Sequence, residues 1–308
     1  MLKIADLKVG DRDTLIILKI KEVDLKFGQS GEYADIKAVD GVQQVNLKYW
    51  NINDEVKSKL IISKIYNFKV NVKEYKGSRQ LEVKELEKVN LSEEEIKSLE
   101  ILPPIDLDKI RTSLLEYINQ IENKDLFQIT KTLFEENQEE FFNHQAAISM
   151  HHAYKGGLAY HTLCMLDIAN IYIKVYEFLS KDLIYSGIIL HDLGKIHELT
   201  TGDNVEYTMK GSLVGHISIV YKMIVKVVEK LKIDDNILIT KLEHVILAHH
   251  GKLEYGSPIL PQTPEALVVY FIDNCDAKMG ALIKAKDSAG DSKKTERINA
   301  LDNKSFYV

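Results

Sequence analysis

The strongest constraint on the fold of this chain is a set of metal-ligating residue types that recur on the apolar faces of its predicted helices. The segment His191-Asp192-Leu193-Gly194-Lys195 ends the apolar run 183–190, and it places an imidazole beside a carboxylate that can bridge two cations. Four further residues occupy core-facing positions at helical spacing, namely His161, His216, His249 and Asp273. A buried imidazole or carboxylate without a partner is costly. One shared metal centre would compensate all of them.

The order of these residues resembles a known superfamily. His161, His191-Asp192 and Asp273 follow one another as in the metal-dependent phosphohydrolases of the HD superfamily. The additional His216 and the pair His249-His250 resemble the two-metal members of that superfamily. The resemblance implies a helical domain that hydrolyses phosphate esters.

Three motifs narrow the resemblance to one branch. They are HHAYKGGLAYH at 151–161, HDLGK at 191–195 and HHGKLEYGSP at 249–258. They are similar to the motifs of YhaM-type 3′–5′ exoribonucleases, which join an OB-fold to an HD domain, and the similarity runs along nearly the whole chain. It implies trimming of single-stranded RNA from the 3′ end to nucleoside monophosphates.

The predicted ligand set combines imidazole with carboxylate and contains no thiolate, which suits Mn²⁺, Fe²⁺ or another divalent ion better than structural zinc. The resemblance implies two ions, with Mn²⁺ as the first expectation. The predicted metal ligands are His161, His191, Asp192, His216, His249 and Asp273. Asp192 would bridge the ions and thereby help both to activate a hydroxide for in-line attack on phosphorus.

Three residues are predicted to take part in catalysis, namely Asp192, Lys195 and His250. Lys195 would neutralise a non-bridging phosphate oxygen. His250 points about 100° away from His249 on a helix, so it is expected to be either a further metal ligand or a proton donor. His152 is expected at the mouth of the site as a substrate contact, because the family motif contributes to that mouth.

Residues 1–90 show the alternation and turn signals of strands, in the order of three strands, a short helix and two strands. This order is typical of a five-stranded OB-fold barrel. The break at 91–105, which contains Pro103-Pro104, predicts a linker. Residues 106–308 are predicted to form a helical domain, in which the apolar spacing is helical up to Met279 and the tail beyond it is polar. The predicted fold class is therefore multidomain α+β, with an N-terminal OB-fold β-barrel followed by an all-α HD-type phosphohydrolase domain.

Single strands bind to OB-folds by stacking of bases on aromatic side chains beside lysine or arginine. The candidate contacts in the barrel are Tyr33, Trp50, Tyr75, Lys76 and Arg79. The alternative for each aromatic residue is ordinary barrel packing. Residues 1–90 carry a net charge of +3 and the remainder −9, so only the N-terminal part is weakly suited to phosphate.

Composition excludes several classes of protein. No apolar stretch approaches the roughly 18 residues needed to span a bilayer, and the first residues show no export signal. Cys164 and Cys275 match no zinc or disulfide spacing, so a reducing cytoplasm is expected. Single-stranded RNA, with single-stranded DNA as an alternative, and further copies of the chain are the expected partners; no membrane partner is expected.

Two other functions remain open. The first is a small-molecule HD phosphohydrolase or phosphodiesterase acting on nucleotides. The second is a nucleic-acid-binding protein with an inactive HD domain. The attached barrel favours a polymeric substrate over a small molecule, and the complete ligand set favours activity over binding alone.

Overall fold

The structure is a computed structural model that describes residues 1–28, 31–75, 78–148, 152–202, 205–234, 236–289 and 293–308. The chain divides into two units, Met1–Leu102 together with Ala281–Val308, and Pro103–Gly280. The sequence instead groups 106–308 as one helical domain. The C-terminal residues are polar and lack apolar periodicity, so only their order along the chain assigned them to that domain.

A closed barrel of five strands forms much of the first unit. Its strands are β1 (Thr14–Gly28), β2 (Gly31–Val39), β3 (Gln44–Trp50), β4 (Ile65–Tyr75) and β5 (Ser78–Lys88), in the spatial order β1-β2-β3-β5-β4. Strands β3 and β5 run parallel, and the other described pairs are antiparallel. Helix α1 (Asp54–Lys59) separates β3 from β4. The predicted order of three strands, a helix and two strands is confirmed.

The barrel closes because β1 pairs with β4 as well as with β2. The first part of β1 pairs with β4, and the part from Lys19 onward pairs with β2. A shift in register between Ile20 and Glu22 bends the strand at this change of partner. In β4 the alternate residues Tyr66 and Phe68 are buried, so the period of two in the sequence fills the barrel interior.

Short helix α2 (Glu93–Lys97) follows the barrel, and Ser92 and Glu95 form the capping box at its start. The remaining helices are α3 (Leu107–Asn119), α4 (Lys124–Asn143), α5 (Gly157–Val175), α6 (Lys181–Leu190), α7 (Lys195–Glu198), α8 (Met209–Val214), α9 (His216–Leu231), α10 (Ile237–Ala248) and α11 (Pro264–Ala289). Among the described residues, no helix is both long and apolar enough to cross a membrane.

Helix α6 lies at the centre of the second unit. Every residue from Leu183 to Leu190 is buried, as expected for a helix that is apolar on all sides. Helices α3, α4, α5 and α10 all pack against it. The residues that directly follow α6, His191 and Asp192, are therefore buried as well, with exposed fractions of 0% and 3%. The predicted fold class, a barrel followed by a helical region, is confirmed.

Candidate metal centre

Five helices bring the predicted ligands to one place. His161 lies within α5, Asp273 lies within α11, and His216 is the first residue of α9. His191 and His249 are the C-cap residues of α6 and α10. The ring centroids are 5.4 Å apart for His161 and His191, 5.1 Å for His191 and His249, and 5.7 Å for His216 and His249.

The glycine of the HDLGK motif allows two of these elements to approach. A Cβ atom on Gly194 would lie 2.4 Å from the carbonyl oxygen of His216. No other residue could fit there without moving the backbone of α9. Gly194 thus holds the turn that carries Asp192 against the first residue of α9.

Asp192 lies between two sets of histidines. Its Oδ2 atom is 3.3 Å from His191 Nε2 and 3.8 Å from His161 Nε2. Its Oδ1 atom is 3.4 Å from His216 Nε2 and 3.9 Å from His249 Nε2. Each carboxylate oxygen therefore faces a different pair of imidazoles, which is the arrangement that a carboxylate bridging two cations requires.

The Nδ1 atoms of three histidines are anchored to the main chain. Nδ1 lies 2.7 Å from the Ile188 carbonyl in His191 and 2.6 Å from the Ile246 carbonyl in His249. In His250 it lies 2.8 Å from the carbonyl of Tyr255. A carbonyl oxygen only accepts, so Nδ1 donates in each case and the neutral ring presents the lone pair of Nε2.

The centre fits divalent cations. The buried Nε2 atoms of His191, His216 and His249 and the buried Oδ1 of Asp192 make no hydrogen bond within the described part of the chain. Buried polar atoms without partners are costly, and a cation that accepts their lone pairs removes that cost. One group that could hold an ion is His161, His191 and Asp273, with ligand atoms that all lie within 4.8 Å of one another.

Charges inside the centre set its protonation. Burial would raise the pKa of Asp192, but its interactions with Lys195, and then with His191, hold that pKa well below its ordinary value. The pKa of His249 lies well below its ordinary value because burial, and then the nearby His250, disfavour the imidazolium. Burial also opposes protonation of His161, yet hydrogen bonds to Asp273 and Asp276 raise its pKa to about 9. A cation bound by His161 must displace that proton.

The ligand geometry can be compared with known families. Residues 158–278 match the family model of the HD domain. Members of this family are metal-dependent phosphohydrolases, and the matched residues lie within the second unit. All six predicted metal ligands lie inside the matched residues, and the barrel lies outside them.

His250 lies closer to the ligands of the HD domain than its direction on an ideal helix predicts. Its ring centroid is 4.4 Å from that of His249 and 5.1 Å from that of His216. These three residues form a second group with ligand atoms within 4.8 Å of one another. Helix α10 ends at Ala248, so the angle of an ideal helix no longer applies. Of the two predicted roles, this position favours a metal ligand.

Two carboxylates that support the HD ligands were missed in the sequence. Asp276 Oδ2 accepts from His161 Nδ1 at 2.6 Å, and Glu198 Oε1 accepts from His216 Nδ1 at 2.9 Å. The signal for Asp276 was its position one helical turn after Asp273 on a largely apolar helix. Glu198 gave no such signal, because it follows His197 in a segment that reads as a polar turn.

His152 was predicted to contact substrate at the mouth of the site. Its Nε2 lies 3.0 Å from Asp276 Oδ2 and its Nδ1 lies 2.9 Å from the Tyr154 hydroxyl. Both ring nitrogens are thus engaged by protein atoms, and one of them shares the carboxylate oxygen that orients His161. His152 therefore lies beside Asp276, the carboxylate that orients His161. Its contact with substrate stays a prediction.

Lys195 is less available for phosphate than the sequence suggests. Its Nζ donates to Asp192 Oδ2 at 2.6 Å and to the Ala146 carbonyl at 2.7 Å. Burial opposes the charge of Lys195, but Asp192 raises the pKa of its ammonium above the ordinary value. The ammonium is therefore paired with the carboxylate of Asp192. Its predicted role at a phosphate oxygen remains untested.

The barrel candidates separate into different environments. Tyr33 and Trp50 face each other across β2 and β3, with ring centroids 4.7 Å apart. Lys48 Nζ lies 4.9 Å from the Tyr33 ring centroid and 5.4 Å from that of Trp50. We call these three residues the aromatic platform.

The other barrel candidates lie elsewhere. Arg79 donates to the carbonyl of Leu7 at 2.6 Å, so its guanidinium stabilises the fold of the N-terminal segment. Tyr75, at the end of β4, is 56% exposed. Lys76 lies outside the described residues. OB-folds bind single strands with an aromatic ring beside a cation. Among the described candidates, the aromatic platform matches this combination best.

The missed carboxylates give a first prediction. Asp276→Ala is expected to weaken Mn²⁺ binding at His161, and Glu198→Ala at His216, by about 10- to 100-fold, because each ligand loses the acceptor that orients it. Titration calorimetry with metal-stripped protein measures this. Asp167→Ala is the control. Asp167 lies on α5, as His161 does, but it accepts a hydrogen bond from the Tyr117 hydroxyl and not from a ligand histidine. If both Asp276→Ala and Glu198→Ala bound Mn²⁺ with the affinity of the wild type, neither carboxylate would support the metal ligands.

Proposed function

We propose that this protein is a metal-dependent 3′–5′ exoribonuclease of the YhaM type, acting on single-stranded RNA, with single-stranded DNA as an alternative substrate. The observation that carries the proposal is the position of Asp192, whose two oxygens face two separate pairs of imidazoles. Two-metal centres are typical of enzymes that cleave phosphodiesters. The aromatic platform on the barrel supports a single-stranded polymer as the substrate.

Two divalent cations, Mn²⁺ first among them, are proposed for the HD domain. His161, His191 and Asp273 would hold one, His216, His249 and His250 would hold the other, and Asp192 would contact both. Bound cations of this kind supply Lewis acidity, which lowers the pKa of water and neutralises charge on a phosphoryl group.

The protein's own contribution is to keep these donors in place and in the correct protonation state. Main-chain carbonyls fix the tautomers of His191, His249 and His250. Lys195 keeps Asp192 ionised. A site assembled in this way loses little free energy to reorganisation when substrate arrives.

The barrel is proposed to hold the strand whose end is cut. Bases would stack on Trp50 and Tyr33, and Lys48 would add positive charge beside them. Asp35 accepts from Lys48 at 2.6 Å, so binding of a phosphate at Lys48 would compete with this ion pair. The predicted association of further copies of the chain does not enter the proposal.

Incubation of a 5′-labelled oligoribonucleotide with the protein and Mn²⁺ tests the proposal. A ladder that shortens from the 3′ end, and its disappearance with EDTA, are expected. Internal cuts would indicate an endonuclease. Hydrolysis of mononucleotides alone would support a small-molecule phosphohydrolase. Binding without cleavage under every divalent metal would support an inactive binding protein. Each of these results would overturn the exonuclease proposal.

The aromatic platform gives a second prediction. Trp50→Ala is expected to weaken binding of an oligoribonucleotide by about 5- to 150-fold, because one stacked base contributes about 1–3 kcal/mol. Fluorescence anisotropy of a labelled strand measures the Kd. Tyr75→Ala is the comparison within the barrel, since Tyr75 is exposed but lies outside the platform. Equal Kd values for Trp50→Ala and the wild type would exclude the platform as the binding surface.

A further inference from the structure

An exposed aromatic residue lies next to His250, one of the histidines of the metal centre. The carbonyl oxygen of Tyr255 accepts the hydrogen bond from His250 Nδ1 at 2.8 Å. The residue itself is 48% exposed. The main chain of Tyr255 thus contacts a residue of the metal centre while much of the residue is accessible from solvent.

The turn that carries Tyr255 is closed by its own hydrogen bonds. The amide of Tyr255 donates to the Lys252 carbonyl at 3.1 Å, and the amide of Ser257 donates to the same carbonyl at 3.2 Å. The amide of Gly256 donates to the Leu253 carbonyl at 3.0 Å. A turn held in this way presents its side chains with little conformational freedom left to lose on binding.

The start of the turn is fixed against α11. Gly251 has a φ of +73°, and a Cβ atom there would lie 2.1 Å from the ring of Tyr270. Only glycine fits such a contact in this backbone conformation. The turn is therefore tied to the HD core immediately after His250 and again through the carbonyl of Tyr255.

A cation accompanies the exposed ring. Lys252 Nζ lies 4.9 Å from the ring centroid of Tyr255 and 3.1 Å from Glu254 Oε1. The hydrogen bond to Glu254, and then the one to Tyr255, raise the pKa of Lys252, so its side chain carries a positive charge. An aromatic face with an adjacent ammonium is the combination that proteins use to bind a nucleobase and its phosphate.

We propose that Tyr255 and Lys252 form a nucleobase subsite beside His250 of the metal centre. The base of the 3′-terminal nucleotide stacks on Tyr255, and Lys252 contacts a backbone phosphate of the same strand. This inference rests on the proposed exonuclease function and adds a requirement to it. The substrate end must carry an unpaired base, because a base within a duplex is already stacked on its neighbours.

The subsite is tested with two 5′-labelled oligoribonucleotides in the presence of Mn²⁺. They differ only at the 3′-terminal nucleotide, which keeps its base in one and is abasic in the other. The wild type is expected to remove the intact terminal nucleotide with a kcat/KM about 5- to 150-fold higher than the abasic one. Tyr255→Ala is expected to lower kcat/KM for the intact end by a similar factor, mainly through KM, and to abolish the difference between the ends. Tyr255→Phe should retain the difference.

Two further variants complete the test. Tyr307→Ala is the matched control, because Lys294 Nζ lies 4.2 Å from the exposed ring of Tyr307 in the first unit; it should behave as the wild type. Lys252→Gln should lower kcat/KM for both ends by a similar factor, since both retain the phosphate. An unchanged Lys252→Gln variant would remove Lys252 from the subsite.

The remaining outcomes separate the inference from the proposed function. If Tyr255→Ala slowed both ends equally, Tyr255 would act only by supporting His250, and the subsite would be refuted. If it slowed neither, the subsite would be refuted as well, while trimming by the wild type would still support the exonuclease. If the wild type trimmed neither end, the exonuclease proposal would fail and the subsite with it.

Discussion

Replacement of Asp192 with alanine is expected to abolish hydrolysis, with a loss in kcat of at least about 1000-fold. Each of the two carboxylate oxygens of Asp192 faces a different pair of imidazoles. Its removal takes a shared donor from both proposed ions at once. Oligoribonucleotide hydrolysis at saturating Mn²⁺ measures the loss, and elemental analysis of the purified variant should show less bound metal.

The controls for Asp192→Ala must separate chemistry from folding. Asp192→Asn keeps the size of the side chain and removes its charge, so it should lose nearly as much activity as Asp192→Ala. Asp167→Ala removes a carboxylate that lies outside the ligand set and should leave the rate unchanged. Circular dichroism checks the fold of each variant. Turnover by Asp192→Ala at the rate of the wild type, under matched metal, would refute the two-ion mechanism.

The barrel could be predicted because its determinants are local. Alternation in β4 and the turn signal at Asp40-Gly41 are readable from neighbouring residues alone. In β1 the same alternation continues through Val23, Leu25 and Phe27. Leu25 and Phe27 are nevertheless exposed, so pairing with β2, and not burial of side chains, stabilises this part of the strand.

The positions of the candidate ligands could also be predicted, since each occupies the core-facing stripe of a helix. Their orientation could not. The tautomer of His249 depends on the carbonyl of Ile246, and that of His161 depends on Asp276, more than 100 positions along the chain. Periodicity shows which face of a helix is buried, but not which buried polar atoms meet across helices.

The environments of single side chains in the barrel could not be predicted for the same reason. Arg79 was a candidate for nucleic-acid binding because of its type and its aromatic neighbours. In the structure it donates to the Leu7 carbonyl, 72 positions earlier in the chain. A cation that the fold itself uses cannot be told from a cation that awaits a ligand until its partner is seen.

Lys195→Met is expected to destabilise the metal-free protein by about 3 kcal/mol, because removal of one partner from a buried ion pair leaves the other charge uncompensated. The ammonium of Lys195 donates to Asp192 Oδ2 and to the Ala146 carbonyl. Without it, a carboxylate that is 3% exposed loses its nearest counter-charge. Unfolding by urea in the presence of EDTA measures the change.

Mn²⁺ should restore much of the stability that Lys195→Met loses, since cations that contact Asp192 replace the missing positive charge and bind only the folded state. Lys181→Met is the matched control, because Lys181 pairs with Glu122 at 2.7 Å on the surface, where such pairs contribute about 0–1 kcal/mol. If Lys195 instead serves only a substrate phosphate, both variants should unfold at the same urea concentration in EDTA, and Lys195→Met should differ from the wild type in kcat alone. That result would support the role predicted from the sequence, in which Lys195 neutralises a phosphate oxygen. It would exclude Lys195 as the residue that keeps Asp192 ionised.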